Sequence, residues 1–267
     1  MEGKCTNVSV VYYSPTHTSK KIAEAIASGI TEAPFNVVNL TTDVETAAIE
    51  IAADWVVLVA PVYAGRIPVE AAERFKRVQI VGKEGVPTKA VVAVVYGNRD
   101  YDDALLELQD IAEELGLLPV AGGAFIGEHS FSRENMPIGE GRPDNKDLEI
   151  AKSFGEKACQ VLSEDINQKK LYVKGNTPYC AHMEIPPVCP ESTAQCNVCG
   201  KCVNVCPVHA IKVEERCVVT DAEACTLCCA CVKMCPNGAR VFDTPFTKML
   251  FENCKERKEP ELFYINC

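Results

Sequence analysis

A run of cysteines that occurs twice in the last third of the chain restricts the fold most. The spacing Cys-x-x-Cys-x-x-Cys-x-x-x-Cys-Pro begins at Cys196 and begins again at Cys225. Each cysteine of the first run has a counterpart at the same offset in the second, as do the proline and an alanine, Ala210 and Ala239. The chain therefore contains an internal duplication of one short unit.

The spacing within each run indicates what the cysteines bind. Three cysteines at i, i+3 and i+6 can hold one corner of an iron–sulfur cube, and a fourth before a proline serves the neighbouring cube. We therefore predict two [4Fe–4S] clusters with crossed ligands. Zinc would need two pairs with a longer gap, and disulfides suit a secreted chain, so both alternatives are disfavoured. The ligands predicted for cluster one are Cys196, Cys199, Cys202 and Cys235, and those for cluster two are Cys225, Cys228, Cys231 and Cys206.

This part of the sequence resembles the two-cluster ferredoxins of bacteria, which implies a small α+β ferredoxin domain over residues 192–245. One residue departs from the pattern. Cys229 stands where the family usually has glycine, as Gly200 does in the first run. We predict that Cys229 is a small packing residue and not a ninth ligand, because free cysteine behaves as a small apolar side chain.

Composition and charge exclude several other classes of protein. The chain begins directly with a strand-like segment and has no long apolar run, so we expect no signal peptide, no membrane span and a cytoplasmic location. Sixteen cysteines in such a chain indicate reduced thiols and metal binding. The formal net charge is −10, with −9 of it in residues 1–163. Nucleic-acid binding is disfavoured because no basic stripe is available to neutralise phosphates.

The N-terminal part, residues 1–163, alternates strand-like and helix-like segments. Such an alternation predicts a parallel sheet covered by helices on both faces, with a ligand site at the carboxyl ends of the strands. Predicted strands are residues 6–13, 37–40, 55–60, 89–96 and 118–126. Predicted helices are residues 20–30, 69–78, 101–115 and 144–162.

Three loops at those strand ends share a pattern. Residues 14–19 are rich in hydroxyl groups and precede a helix, which favours an anion site, although plain helix capping by Ser14 or Thr16 is the alternative. Residues 61–66 and 96–101 each combine glycine with an aromatic residue. The three loops together suit a flat ring that carries a phosphate.

Here the sequence resembles the flavodoxins, across residues 5–163. The resemblance implies a five-stranded parallel sheet of order 2-1-3-4-5 that binds FMN. Tyr63 and Tyr101 would flank the flavin ring, with ordinary loop packing as the alternative. His17 stands where the family commonly has glycine, and a solvent-exposed side chain is expected. Positions implied to contact FMN are Ser14, Thr16, His17, Thr18 and Ser19 at the phosphate and Pro61, Val62, Tyr63, Ala64, Gly65, Tyr96, Gly97, Asn98, Arg99 and Tyr101 around the ring.

The remaining segments are assigned more coarsely. Three polar residues lie on the same side of the sheet: Arg66, Arg99 and His129. Each could be a surface residue, and His129 could instead supply a proton to the flavin. Residues 128–143 are long enough to form a lid or to meet the second domain. Predicted boundaries are 1–165 for the FMN-binding domain, 166–191 for a linker, 192–245 for the ferredoxin domain and 246–267 for a tail that docks back. Three linker residues, Cys180, His182 and Cys189, lack a fourth partner, so no metal site is predicted there.

Both halves together resemble a family of anaerobe proteins that join a flavodoxin-like domain to a C-terminal 2[4Fe–4S] ferredoxin. The resemblance implies an electron carrier that exchanges electrons with redox partner proteins. The alternative is an FMN-dependent reductase of a small molecule, quinone-like or other, fed through the clusters. A redox sensor is disfavoured because no DNA-binding unit is evident. The oligomeric state stays open, with a homodimer as one option.

Overall fold

The computed structural model describes residues 7–82, 85–161, 169–184 and 186–265. The N-terminal part alternates strands and helices, and the cysteine-rich part consists of short strands and two short helices. The elements of the N-terminal part are β1 (Val8–Tyr12), α1 (Thr18–Ile30), β2 (Asn36–Asn39), β3 (Ile49–Ile51), β4 (Trp55–Pro61), α2 (Val69–Phe75), β5 (Val78–Ile80), β6 (Lys89–Tyr96), α3 (Ala104–Glu114), β7 (Leu118–Ile126) and α4 (Asn145–Gln160). The elements after it are β8 (Glu191–Ser192), α5 (Lys201–Val205), β9 (Ile211–Glu214), β10 (Cys217–Thr220), α6 (Ala230–Lys233), β11 (Arg240–Val241), α7 (Pro245–Asn253) and β12 (Glu261–Tyr264).

The central sheet confirms the predicted fold and adds one strand. Its order is β12-β7-β6-β4-β1-β2, and the five predicted strands within it run parallel in the order 2-1-3-4-5. The sixth strand, β12, comes from the tail and pairs antiparallel with β7, with Phe263 opposite Gly122. The tail therefore docks back on the body, as expected, and it does so by closing the edge of the sheet.

Two predicted helices have different bounds in the structure. Helix α2 ends at Phe75, and Val78 begins strand β5, which pairs parallel with β3 outside the main sheet. The β-branched residues Val78 and Ile80 favour that extended conformation. Helix α3 begins at Ala104 and not at residue 101, because Asp102 has a left-handed φ of 40° that a helix cannot accommodate.

The helices cover both faces of the sheet. Residues of β1 alternate between the two faces, so Val10 packs towards α1 and α4 while Val11 packs towards α3. Helices α1 and α4 approach each other very closely at two glycines. A Cβ atom at Gly29 would lie 2.0 Å from the Lys152 carbonyl oxygen, and one at Gly155 would lie 2.1 Å from that of Ile26. Larger residues there would push the helices apart.

The predicted linker follows the surface of the N-terminal part. Residues 169–184 form no helix or strand, yet the Leu171 side chain is buried in the sheet core. The buried carboxylate of Asp103 accepts hydrogen bonds from the backbone N–H groups of Asn176 at 2.8 Å and Cys180 at 2.6 Å. The Arg66 guanidinium donates to the Cys180 carbonyl at 2.7 Å. The segment is therefore held on the N-terminal part from Leu171 to Cys180.

Candidate functional site

The loop between β1 and α1 has the shape of an anion site. His17 lies directly before α1 with a left-handed φ of 66°, a conformation that glycine adopts most easily, and it is exposed. The Ser14 N–H donates to Thr41 Oγ1 at 2.9 Å, and Ser14 Oγ accepts from the Lys20 N–H at 2.9 Å, so Ser14 does cap the helix. Within the described part of the chain, the buried Ser19 Oγ has no hydrogen-bond partner. A phosphate oxygen would satisfy it. Thr16 and Thr18 are half-buried on the same loop.

The turn after β4 presents an aromatic residue at the same edge. Tyr63 and Arg66 exchange backbone hydrogen bonds of 2.8 and 3.1 Å around Ala64 and Gly65, whose φ values are 50° and 88°. Two left-handed residues in succession make a tight hairpin turn. Pro61 ends β4, and the N–H of the next residue, Val62, donates to the Val95 carbonyl at 3.0 Å. Tyr63 is half-buried at this edge of the sheet.

The loop after β6 differs from expectation at Tyr101. Its ring lies in the sheet core with no exposed surface, 5.6 Å from the ring of buried Tyr96, and its hydroxyl donates to Glu261 Oε2 at 2.7 Å. Burial, followed by that hydrogen bond, raises the pKa of Tyr101. The geometry thus matches the packing alternative. Of the two tyrosines, only Tyr63 remains a candidate for stacking on a flavin ring.

Asn98 and Gly97 also contribute to this loop. Asn98 has a left-handed φ of 65°, and its Nδ2 donates to the carbonyls of Cys254 at 2.7 Å and Glu256 at 2.8 Å. Its Oδ1 is buried and, within the described residues, unpartnered, so it can accept a hydrogen bond from a ligand. A Cβ atom at Gly97 would lie 2.2 Å from His129 Cδ2. Arg99 is exposed and pairs with Asp102.

His129 packs behind the loops as a neutral group. Its Nδ1 accepts a hydrogen bond from the Phe131 N–H at 3.0 Å. Burial, with the nearby charges of Lys233 and Arg99, lowers the pKa of His129 to about 4. The imidazole is therefore neutral at pH 7 and lacks the acidic proton of an imidazolium, which argues against its predicted role as a proton donor to flavin.

One cavity in the cysteine-rich part matches the predicted cluster-one ligands. It is lined by side chains from both cysteine runs together with Arg240. The cysteines that line it are Cys196, Cys199, Cys202 and Cys235. The Ala239 N–H donates to Cys235 Sγ at 3.2 Å. Burial alone would raise the pKa of Cys235, but N–H donors from Asn237, Ala239 and Arg240 lower it, which favours a thiolate.

The other four cysteines also lie together. Burial, followed by the charges of Cys231, Cys206 and Cys225, raises the pKa of Cys228. Burial, followed by the charges of Cys231, Cys189 and Cys206, raises the pKa of Cys225 to about 11. The Ala210 N–H donates to Cys206 Sγ at 3.3 Å, which mirrors the Ala239 contact in the other run. The repeated alanines thus place a backbone donor on the fourth cysteine of each run. Both sets of thiols fit crossed ligation of two clusters.

The backbone repeats with the sequence. Left-handed residues occur at the same three points of each run, at the offset that relates the cysteines. The pairs are Val198 and Leu227, Gly200 and Cys229, and His209 and Gly238. Cys229 is 2% exposed and precedes α6 as Gly200 precedes α5.

No three His, Cys, Asp or Glu side chains in the described ranges converge on a single metal ion. In the linker, Cys189 Sγ lies 3.9 Å from the Thr220 carbonyl oxygen.

Buried Arg74 connects the two halves, which the sequence did not reveal. Its Nη1 donates to the carbonyls of Leu40 at 3.0 Å and Thr41 at 2.6 Å. Its Nη2 donates at 2.7 Å to the carbonyl of Pro207, which directly follows Cys206. Thr41 in turn receives the Ser14 N–H. One guanidinium therefore joins the anion loop to a predicted cluster ligand. The Cys206-Pro207 pair identified Cys206 as a predicted ligand, but no sequence pattern identified Arg74 as the partner of Pro207.

Two tyrosines lie beside the second cysteine set. Burial raises the pKa of Tyr63 well above its ordinary value, and the nearby Cys228 adds to the effect. Burial and Glu70, which accepts the Tyr13 hydroxyl at 2.8 Å, raise the pKa of Tyr13, and Cys228 again contributes. The turn that would contact the flavin ring and a predicted cluster ligand are thus neighbours.

The loop after β7, residues 128–143, also contacts the cysteine-rich half. Of its two predicted roles, a lid or a contact with the second domain, the structure shows the contact. Lys233 Nζ, between two cysteines of the second run, donates to Glu128 Oε1 at 2.5 Å and to the Ser132 carbonyl at 2.8 Å. Arg133 donates to Asp243 and Thr247, each at 3.0 Å. Phe131 packs edge-to-face on Phe242 at 5.3 Å.

Comparison with known proteins agrees with this architecture. The flavodoxin family model matches residues 10–154, and a 4Fe-4S binding domain model matches residues 192–212. The chain belongs to the flavodoxin family. It joins that domain to a C-terminal 4Fe-4S domain and is a flavoprotein and iron–sulfur protein of electron transport. No curated protein sequence matches it.

Solved flavodoxins are among the similar structures. A flavodoxin from the domain Archaea is 16% identical, covering 58% of this chain and 97% of its own, with a TM-score of 0.38. A WrbA-like flavodoxin from Agrobacterium tumefaciens is 17% identical, covering 61% and 98%, with a TM-score of 0.37. An FMN-bound mutant flavodoxin from Fusobacterium nucleatum is 15% identical, covering 58% and 94%, with a TM-score of 0.36.

Over the described residues, no helix is both long and apolar enough to cross a membrane.

Proposed function

We propose that this chain is an electron carrier that binds FMN and two [4Fe–4S] clusters and exchanges electrons with partner redox proteins. When bound, FMN supplies paired and single electron exchange and each cluster supplies single electron exchange. The proposed FMN phosphate ligands are Ser14, Thr16, Thr18, Ser19 and the amides around His17. The proposed ring contacts are Pro61, Val62, Tyr63, Ala64, Gly65, Tyr96, Gly97, Asn98 and Arg99. The proposed cluster ligands are the two crossed sets of four cysteines.

The observation that carries the proposal is the contact between the anion loop and the second cysteine set. Arg74 donates hydrogen bonds to both sides, at the carbonyls of Thr41 and Pro207, and the charge of Cys228 contributes to the raised pKa of Tyr63. A flavin held at these loops would face that set. Because both sites belong to one chain, they stay at a high effective concentration, which favours electron exchange within one molecule.

Anaerobic purification, with counts of iron, sulfide and flavin, tests the cofactor set. Rapid mixing of reduced protein with acceptors then separates a carrier from a reductase. We expect fast one-electron exchange with redox proteins and no saturable oxidation by small quinones. Saturable turnover of a quinone, or zinc in place of inorganic sulfide, would contradict the proposal.

A further inference from the structure

The two cysteine runs differ at the residue that follows the repeated alanine. Ile211 stands directly after Ala210 in the first run, and Arg240 stands directly after Ala239 in the second. Both side chains are buried, with exposed fractions of 5% for Ile211 and 3% for Arg240. The duplication therefore has an apolar side chain at this position of one run and a positive charge at the same position of the other.

Hydrogen bonds hold the Arg240 guanidinium in place. Its Nη1 donates to Ser192 Oγ at 3.0 Å, and its Nη2 donates to the Pro190 carbonyl at 2.6 Å and to Thr220 Oγ1 at 2.7 Å. None of these three acceptors carries a charge. Because a buried cation with neutral partners is costly, negative charge is expected close to this guanidinium.

The guanidinium lies between the two sets of predicted cluster ligands. Its Nη2 also donates to the Sγ atom of Cys231, in the second set, at 3.9 Å. The same side chain lines the cavity formed by the four cysteines of the first set. The sets adjoin here, since Cys202 of the first set belongs to the same buried cluster as Cys206 and Cys231 of the second. One arginine thus contacts both sites.

The Nε atom of Arg240 has a free hydrogen-bond donor. Within the residues that the structure describes, this atom is buried and has no hydrogen-bond partner. A cluster sulfur would satisfy it, and buried polar groups are normally hydrogen-bonded. A [4Fe–4S] cluster held by four thiolates is anionic and becomes more negative when it is reduced. The donor and the charge of Arg240 therefore both fit a cluster site.

We propose that Arg240 raises the reduction potentials of both clusters, because it places a positive charge and a free N–H donor between them. The inference rests on the proposed function, since it requires the two clusters, and it adds the residue that adjusts their affinity for electrons. Each couple gains one electron on reduction, and no bond forms or breaks. A nearby cation favours the reduced state, and net charge and hydrogen bonds to the sulfurs are among the factors that set cluster potentials.

The test uses the full cofactor-loaded chain with Arg240→Gln, Arg240→Lys and, as a matched control, Arg216→Gln. Arg216 is an exposed arginine between β9 and β10 of the same half, so the change in charge is the same. Reductive titration with dithionite, followed by EPR, gives the potential of each cluster. Counts of iron and sulfide show whether the clusters are retained.

We expect Arg240→Gln to lower the ratio of reduced to oxidised cluster, at a given applied potential, about tenfold for both couples, a decrease of about 60 mV in each potential. Arg240→Lys keeps the charge but lacks the Nε donor, so its effect should have the same sign and be smaller. Arg216→Gln should change the ratio less than about twofold, because solvent screens an exposed charge.

Isotope labelling of the wild-type chain gives a second measurement that does not depend on a variant that folds. With ¹⁵N in the guanidinium groups of arginine, pulsed EPR of the reduced clusters should show a ¹⁵N coupling. Arg240→Lys should lack this coupling, and Arg216→Gln should retain it. Absence of the coupling in the wild-type protein would overturn the proposal.

A wild-type potential for either couple in Arg240→Gln, with full iron and sulfide, would also overturn the proposal and leave the proposed function intact. Equal decreases in Arg240→Gln and Arg216→Gln would do the same. A wild-type chain without inorganic sulfide would instead defeat the proposed function, and this inference with it.

Discussion

Several residues of the candidate site have backbone conformations that glycine adopts more easily. His17, Ala64, Asn98 and Cys229 all have positive φ, although each carries a side chain. Such a conformation costs an L-residue on the order of 1 kcal/mol and persists only where the surroundings fix it. All four lie in loops around the proposed cofactors. The turns there are held by the contacts of the fold and not by local preference.

Replacement of Cys229 by glycine tests whether this thiol is a ligand. Glycine removes the backbone strain at φ 54°, and the lost packing of a buried thiol opposes that gain. We expect the free energy of unfolding to change by less than about 1 kcal/mol. Iron and sulfide per chain should not change. As a control, Cys228→Ala should lose about half of the iron. A loss of iron in Cys229→Gly would show that it is a ligand.

His129 gives the stability of the protein a defined pH dependence. Its pKa is about 4 in the folded chain, below the ordinary 6.5, so the unfolded chain binds the extra proton between these values. Stability is therefore full above about pH 6.5 and falls as the pH decreases towards 4, by about 2 kcal/mol between about pH 7.5 and pH 5. Urea unfolding under anaerobic conditions measures this loss.

His129→Gln should flatten that profile. The matched control is His182→Gln, a change at an exposed histidine of the linker, and it should retain the wild-type profile. A pH profile for His129→Gln that equals that of the wild type would contradict the assigned cause.

At the level of elements, the tail and the linker are built into the N-terminal part. Strand β12 covers the edge of β7, and Ile265 after it is fully buried, with its N–H donating to the Val120 carbonyl at 2.9 Å. Asn98 binds the tail backbone, and Arg142 donates to the Lys258 carbonyl at 2.7 Å. An exposed edge would otherwise invite pairing with other chains.

Ile265→Ala tests how strongly the tail contributes. The loss of a fully buried side chain should lower the free energy of unfolding by about 2–4 kcal/mol, from lost apolar transfer and the cavity left behind. Phe246→Ala on α7 is the control, because Phe246 is 50% exposed. It should cost less than about 0.5 kcal/mol. Chemical denaturation measures both, and equal effects would mean that the tail adds little.

Local patterns predicted more of the elements than of their contacts. The five parallel strands follow from β-branched runs between helices. Strand β12 could not be predicted, because Glu261–Tyr264 is short and its partner strand, β7, lies far earlier in the chain. The choice between stacking and packing for Tyr101 stayed open for the same reason, since its partner Glu261 comes from that distant strand. Pairings between remote segments have no local signal.

At the level of the whole molecule, Arg74 is a buried polar contact between the halves. It is 9% exposed and donates to Leu40 and Thr41 on one side and Pro207 on the other. Its ring contact with Tyr13, at 5.6 Å, adds packing to the charge. Such a group both stabilises the interface and sets the relative position of the two sites.

Arg74→Ala should therefore weaken the interface by about 3 kcal/mol and slow internal electron exchange, with FMN and iron still bound. Arg74→Lys should recover only part of the rate, because an ammonium lacks the fork of donors. Arg77→Ala is the control, since Arg77 bonds to Ala47 and Asp43 within the N-terminal part. Calorimetry and flash photolysis measure both effects. Normal internal exchange in Arg74→Ala would remove its positioning role.

The segment between the two halves has a kinetic consequence. Its contacts with Asp103 and Arg66 hold it on the N-terminal part, and Arg74 and Lys233 hold the cysteine-rich half on the same part. If the two halves moved freely, internal electron transfer would show several rates, and these rates would fall as added glycerol raises the viscosity. Two halves held in a fixed arrangement should instead show a single exponential decay with a rate that does not depend on viscosity, because no domain motion has to precede electron transfer.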